Sequence, residues 1–213
     1  MERKLTARGR ERRRQILDES ARLFAERGYH PTAVADIVES LGVGKGVFYW
    51  YFESKDDLFL EILASSSHDL RRLQQAAIGD EPDPLRRIEL GIRASLRWFR
   101  DHRHLFNLSQ FAATEERFAS VLRQNDAVAI DDITRHLKEA MADGSIPDQD
   151  PTMLAHALVG ATRHLARTYL YAADEPVDVV ADVAVRFAIG GLTAGTKSRA
   201  ARRSVAAEPR RAR

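Results

Sequence analysis

The stretch from Thr32 to Leu58, TAVADIVESLGVGKGVFYWYFESKDDL, decides the fold. Val34, Ile37, Val38 and Leu41 recur at i, i+3, i+4 and i+7, which predicts a short helix with one apolar face, and Thr32 is its expected N-cap. Gly42 ends it. A second short helix is expected over Lys45 to Phe52 behind Gly44, with Phe48 and Phe52 on one face. The turn Leu41-Gly42-Val43-Gly44 joins the two, and a glycine there lets the second helix cross the first closely. The spacing therefore predicts a helix-turn-helix. Packing Ile37, Leu41, Val43, Phe48 and Phe52 inward leaves Lys45, Gly46, Val47, Tyr49, Trp50 and Tyr51 largely outward. A globular core would not spend aromatic rings that way.

Outward from this motif, a preceding helix is expected from about Glu11 to Arg27, with Ile16, Leu17, Ala21, Phe24 and Ala25 on its apolar face and Gly28 as its stop. Ser54 is placed to cap a long fourth helix running towards Ala77, with Asp56 and Asp57 at its positive end. After the turn-rich residues 79–84, helices are expected to about Arg100, around Leu105–Ala112, over Glu115–Ala142, over Pro151–Tyr171 and over Pro176–Gly195. No segment alternates as a strand would. The fold class is therefore all-α: an N-terminal three-helix helix-turn-helix domain joined by the long fourth helix to a C-terminal helical ligand-binding and dimerisation domain. The expected divisions are a basic flexible arm (1–9), the DNA-binding domain (10–58), the ligand-binding and dimerisation domain (59–195) and a basic disordered tail (196–213).

The 213 residues carry a net charge of only +2, but the sign is unevenly spread. Residues 1–14 hold +5 and residues 197–213 hold +6, which leaves about −9 for the body between them. Basic ends around an acidic body suit a polyanionic partner. There is no cysteine, which removes thiol catalysis and cysteine-ligated zinc. No secretory apolar region and no apolar run of about 20 residues occurs, so the expectation is a cytoplasmic protein without a membrane partner.

The outward face of the second short helix fits the major groove of double-stranded DNA, with Lys45 and Gly46 leading. Gly46 lets the backbone approach closely, Lys45 can donate to guanine or phosphate, Val47 can pack on a thymine methyl, and Tyr49 offers a ring and a hydroxyl. Thr32, Tyr51 and Lys55 are expected at phosphates, where they would position the helix rather than read bases. Trp50 completes this face. The basic residues from Arg3 to Arg14 are expected to reach the DNA backbone or the adjacent minor groove.

These residues resemble the DNA-binding domain of the TetR family of bacterial repressors. The likeness runs through Ile16-Leu17, Leu23-Phe24, Gly28, Thr32, Ile37, Gly42-Val43, Gly46, Phe48-Tyr49, Tyr51-Phe52, Ser54-Lys55 and Leu58, and covers about residues 10–60. The resemblance implies a two-fold symmetric homodimer, a palindromic operator and a divergent domain for a small-molecule effector. In the family's pattern Ala33 is more often Ser or Thr, and Gly44 is usually Ser, so hydroxyl contacts to phosphate are expected to be missing at these two DNA-facing positions.

In the C-terminal half, stripes containing Leu158, Ala161 and Leu165, and Ala184, Phe187 and Gly191, predict an interhelical dimer seam, to which the family resemblance also points. Trp98, Phe99, His102, Phe106, Phe111 and Phe118 are candidates to line an effector pocket. His102, His104, His136, His156 and His164 make no H-E-x-x-H pair, no G-x-S-x-G elbow occurs, and Gly42-Val-Gly-Lys-Gly-Val47 lacks the last glycine and the preceding strand of a phosphate loop. No catalytic residue, metal or cofactor is therefore assigned. The alternatives are an all-helical enzyme and a nucleoid-type protein that binds DNA without sequence preference, and a specificity ratio near one would identify the second.

Overall fold

The structure, a computed structural model, describes residues 5–194, and these are helical with no strand among them. The elements are α1 (Ala7–Arg27), α2 (Val34–Ser40), α3 (Lys45–Tyr51), α4 (Lys55–Ile78), α5 (Pro84–Asp101), α6 (Arg103–Ala112), α7 (Glu116–Ala142), α8 (Pro151–Leu165), a π-helical segment (Ala166–Ala172) and α9 (Val177–Leu192). The expected basic tail, and the first four residues of the expected arm, lie outside the described residues. The rest of that arm is not loose chain: Thr6 accepts from the Gly9 N–H at 3.2 Å, and the capped helix starts at Ala7.

Two compact units result, and neither is a continuous run of chain. The first combines Met1–Leu70 with His102–Asp126, and the second combines Arg71–Asp101 with Ala127–Arg213. The expected division after residue 58 is thereby corrected. The reason is apolar: Leu108 and Ala112 of α6 and Phe118 of α7 are buried in the same core as Ile16, Phe24, Ile37, Phe48, Phe52 and Phe59. About ten fully buried side chains of this size, at roughly 1.5–3 kcal/mol each, hold α1–α4 and the α6–α7 junction together.

In the second unit, α5 and α9 run antiparallel, and two ion pairs mark the register: Arg93 to Asp182 at 2.8 Å and Arg97 to Asp178 at 3.6 Å. Arg71 of α4 reaches Asp132 of α7 at 2.8 Å, and Gln74 donates to Ser95 at 2.8 Å. The expected helix over Pro151–Tyr171 is interrupted. From Ala166 it widens to a π turn, in which the Ala173 N–H reaches back to the Thr168 carbonyl and the Tyr171 hydroxyl donates to the Phe99 carbonyl at 2.6 Å.

Candidate nucleic-acid interface

The helix-turn-helix is closed by backbone geometry. Gly42 takes φ +63°, the Val43 N–H donates to the Val38 carbonyl at 2.9 Å, and the Gly42 N–H donates to Glu39 at 3.0 Å. This is a Schellman stop, in which a left-handed glycine lets two amides satisfy the last carbonyls of α2. α3 then begins behind Gly44, with the Val47 N–H on the Gly44 carbonyl at 2.9 Å. Phe48 and Phe52 are fully buried beneath α3 and fix its roll about its own axis.

That roll decides which side chains are available. Lys45, Gly46, Tyr49 and Trp50 are exposed, as are Ala33 and Gly44 at the two helix starts. Tyr49 is 56% and Trp50 51% exposed. Val47 and Tyr51, expected outward, instead pack half-buried against the core, because they flank Phe48 and Phe52 on the inner side of the helix. Three side chains of α3, with the bare backbone of Gly46 beside them, are thus free to meet a partner, and Val47 and Tyr51 offer only an edge.

Thr32 and Lys55 need fuller correction. Thr32 is completely buried and its hydroxyl donates to the Gly28 carbonyl at 2.8 Å, so it closes the α1–α2 turn and reaches no phosphate. It is not the N-cap either; Ala33 holds that position, and the Asp36 carboxylate accepts from the Ala33 N–H at 2.7 Å. The Lys55 ammonium donates to the carbonyls of Tyr29 and Thr32, each at 2.9 Å, and sits 4.2 Å from the Tyr29 ring centre. Burial lowers its pKa from the ordinary lysine value, with Asp56 opposing. Lys55 therefore ties the turn to α4.

Tyr29 is the hub of this arrangement, and no motif or periodicity singles it out. Its ring is buried, stacks on Phe111 at 5.6 Å, meets Phe118 at 5.4 Å and Phe59 at 4.7 Å, and carries Arg117 at 5.2 Å on its face. The phenol donates to one oxygen of Asp56, while Arg117 binds the other at 3.0 Å. Burial, and then the Asp56 acceptor, push the phenol pKa above its ordinary range, so the hydroxyl keeps its proton to donate. Three stretches of chain, the α1–α2 turn, the start of α4 and the α6–α7 junction, meet at one ring.

The expected pocket residues separate accordingly. Phe111 and Phe118 are taken up by the Tyr29 cluster, Phe106 is buried on α6, and His102 precedes α6, all in the first unit. Trp98 and Phe99 are buried on α5 in the second unit. The six do not converge within either unit.

The expected dimer residues also divide. Leu158 and Ala184 face the interior of their own unit, Ala161 and Leu165 are half-buried, and Phe187 and Gly191 are exposed. The open apolar face of α9 consists of Val179, Val183 and Phe187 at four-residue spacing, continuing into Gly190 and Gly191. On α8, Met153, Ala157 and Gly160 are exposed at similar spacing. A Cβ added at Gly160, Gly190 or Gly191 would meet nothing within 4 Å, so nothing inside the protomer requires these glycines.

Comparison with known proteins agrees with this construction. The family described as "Bacterial regulatory proteins, tetR family" matches residues 16–62. The chain is 30% identical over 197 residues to the HTH-type transcriptional regulator TtgR of Pseudomonas putida, covering 86% of this chain and 91% of TtgR. It is 27% identical over 201 residues to the HTH-type transcriptional repressor KstR2 of Mycolicibacterium smegmatis, covering 85% of this chain and 91% of that one. A crystal structure of a TetR-like transcriptional regulator from Rhodococcus sp. RHA1 superposes with a TM-score of 0.74 at 23% identity, over 90% of this chain and all of that one. With the helix-turn-helix, the all-helical fold and these relatives in agreement, the chain is a transcriptional regulator rather than an enzyme, and it belongs to the TetR family.

Proposed function

We propose that the protein binds a palindromic DNA operator as a homodimer, represses transcription there, and lets go when a small molecule binds. The observation that carries the proposal is the exposed face of α3, where Lys45, Gly46, Tyr49 and Trp50 stand clear of a helix whose roll is fixed by Phe48 and Phe52. Such a face enters the major groove, where donors and rings can read base edges. Selection from a random duplex pool tests this. A palindrome is expected, and Tyr49→Ala should shift preference within each half-site at a cost of about 1–3 kcal/mol. An unchanged preference in that variant would move the reading face elsewhere, and a specificity ratio near one would make the protein a nucleoid-type binder.

The partner proposed for the open faces of α8 and α9 is a second copy of the chain. Two-fold symmetry would present two α3 helices to two half-sites about 34–36 Å apart when these lie one DNA turn apart. Repression is favoured by the likeness to KstR2, which is named a repressor.

A mainly apolar or amphipathic effector fits a helical domain with Trp98 and Phe99 buried on α5. The effector must prefer the arrangement that does not bind DNA. By linkage the operator must then weaken effector binding by the same factor, about 5–150-fold. A compound found by thermal shift is therefore expected to bind more weakly in the presence of the selected duplex. Equal binding with and without DNA would rule that compound out as an inducer.

A further inference from the structure

The outward face of α8 is built around a glycine and two histidines. His156, Gly160 and His164 recur at four-residue spacing and are all exposed, on the side of the helix away from the buried Ala155, Leu158 and Thr162. One imidazole therefore sits a turn before Gly160 and the other a turn after it. An added Cβ at Gly160 would meet nothing within 4 Å, so this is where another helix can come closest. Alongside, α9 opens its own apolar face of Val179, Val183 and Phe187. The two histidines are thus the titratable centre of a surface that is otherwise small and apolar.

The protonation state of one ring follows from its neighbour. A guanidinium nitrogen of Arg167 lies 3.4 Å from His164 Nδ1. Guanidinium only donates, so Nδ1 accepts, the ring is neutral and its proton is on Nε2. A second proton would occupy Nδ1, end that contact and set two like charges side by side. The charges nearest the rings along the chain are the cations Arg163 and Arg167, and Arg186 is exposed on α9. The carboxylates of this stretch are engaged or placed elsewhere: Asp150 caps α8 through the Thr152 and Met153 amides, Asp178 and Asp182 of α9 pair with Arg97 and Arg93 of α5, and Asp174 and Glu175 lie beyond the π segment. Tyr171 turns in to the Phe99 carbonyl, and Tyr169 is exposed on the π segment.

We infer that His156 and His164 make the association of two copies acid-sensitive: both rings enter the dimer seam neutral, and protonating them opens the seam and releases the operator. The inference rests on the reading of the α8 and α9 faces as the surface that meets a second copy. Burying an imidazolium in a close, apolar seam beside Arg167 costs far more than leaving it in water, so a protonated protomer prefers to stay alone. The sign follows from linkage. The separated protomers bind more protons than the dimer, so the dimer is stable at neutral pH and is lost as the pH falls through the range in which histidine takes up its charge.

The test is the dimer dissociation constant by analytical ultracentrifugation from about pH 7.5 to about pH 5.5, with far-UV circular dichroism on the same samples, for the wild type, H156Q/H164Q and Phe187→Glu. The slope of log Kd against pH counts the protons taken up on dissociation, so an average of one or more across two pH units weakens the wild-type dimer at least about 100-fold. The helix signal should be retained, and binding to the selected palindrome should weaken over the same range. Glutamine keeps a neutral polar side chain at both positions, so H156Q/H164Q should remain dimeric throughout. A wild-type dimer that acid leaves intact, a double variant that dissociates as the wild type does, or dissociation that comes only with loss of helix overturns the inference. Phe187→Glu separates this from the reading beneath it. A protein already monomeric at pH 7.5, or a dimer that Phe187→Glu does not split, overturns the α8–α9 face and the inference with it, whereas a dimer split by Phe187→Glu but not by acid overturns the inference alone.

Discussion

Replacing Phe187 by glutamate is expected to convert a dimer into a helical monomer and to weaken operator binding about 100-fold or more, the scale on which linked sites exceed single ones. Phe187 is 69% exposed in the protomer, so the substitution removes almost nothing from the protomer's own core. In the proposed dimer the same side chain would be buried with Val179 and Val183, which are exposed in the protomer, and a carboxylate there would have neither a partner nor water. Gly191→Glu should act in the same direction through overpacking, since in the proposed dimer the glycine, which has nothing within 4 Å in the protomer, would let a partner helix approach closely. Its effect on the isolated protomer has the opposite sign: an exposed helical glycine is replaced by a better helix former, worth about 0.5–1 kcal/mol. A variant with an unaltered helix spectrum and half the mass by light scattering is the expected pair of results. A dimer that survives both substitutions would place the interface on another face.

Phe59→Ala is expected to cost about 3–5 kcal/mol, the range for removing a fully buried phenyl ring. Phe59 has no exposed surface and touches four rings: Phe24 at 5.7 Å, Tyr29 at 4.7 Å, Phe111 at 5.9 Å and Phe118 at 4.7 Å. Those neighbours come from α1, the following turn, α6 and α7, so no single helix can move in to fill the void without losing contacts elsewhere. Domains have about 5–15 kcal/mol in total, and this one substitution removes a large part of it. Urea denaturation should show a lower midpoint with an unchanged slope. Phe111→Ala should cost less, because Phe111 is only partly buried on the rim of the same cluster. A loss below about 1 kcal/mol for Phe59→Ala would mean that the rings close up around the gap and are not held apart as described.

What could be read from the sequence was what local chemistry determines. Gly42 and Gly28 stop helices because their backbone is left-handed, and Ser54 receives the Asp57 N–H at 3.0 Å, so these boundaries fell close to expectation. The expected all-helical class and the motif that carries the family rest on such signals. Partners distant along the chain were not legible. Arg117 and Asp56 are 61 residues apart, and the periodicity of α7 says which residues share a face but not which ring that face meets. Thr32 has the composition of a helix cap, yet its hydroxyl was claimed by a carbonyl four residues earlier. On α8 both faces are apolar: Ala155, Leu158 and Thr162 turn in, while Met153, Ala157 and Gly160 turn out. Composition alone could not choose between them.

The shared core of α1–α4 with Leu108, Ala112 and Phe118 has a consequence for how such regulators can be recombined. A fragment ending after residue 58, or even after Leu70, leaves those three side chains behind and strips the cover from Tyr29 and Phe59. Grafting that fragment onto another member's body would put a foreign α6 against a surface shaped for this one, and the chimera would inherit the mismatch as instability. Lys45, Gly46, Tyr49 and Trp50 make no such demand, since they stand outside the cluster. On the proposed reading of α3, new operator preferences would therefore be acquired by exchanging a few exposed side chains, whereas whole heads are tied to the helices they evolved with.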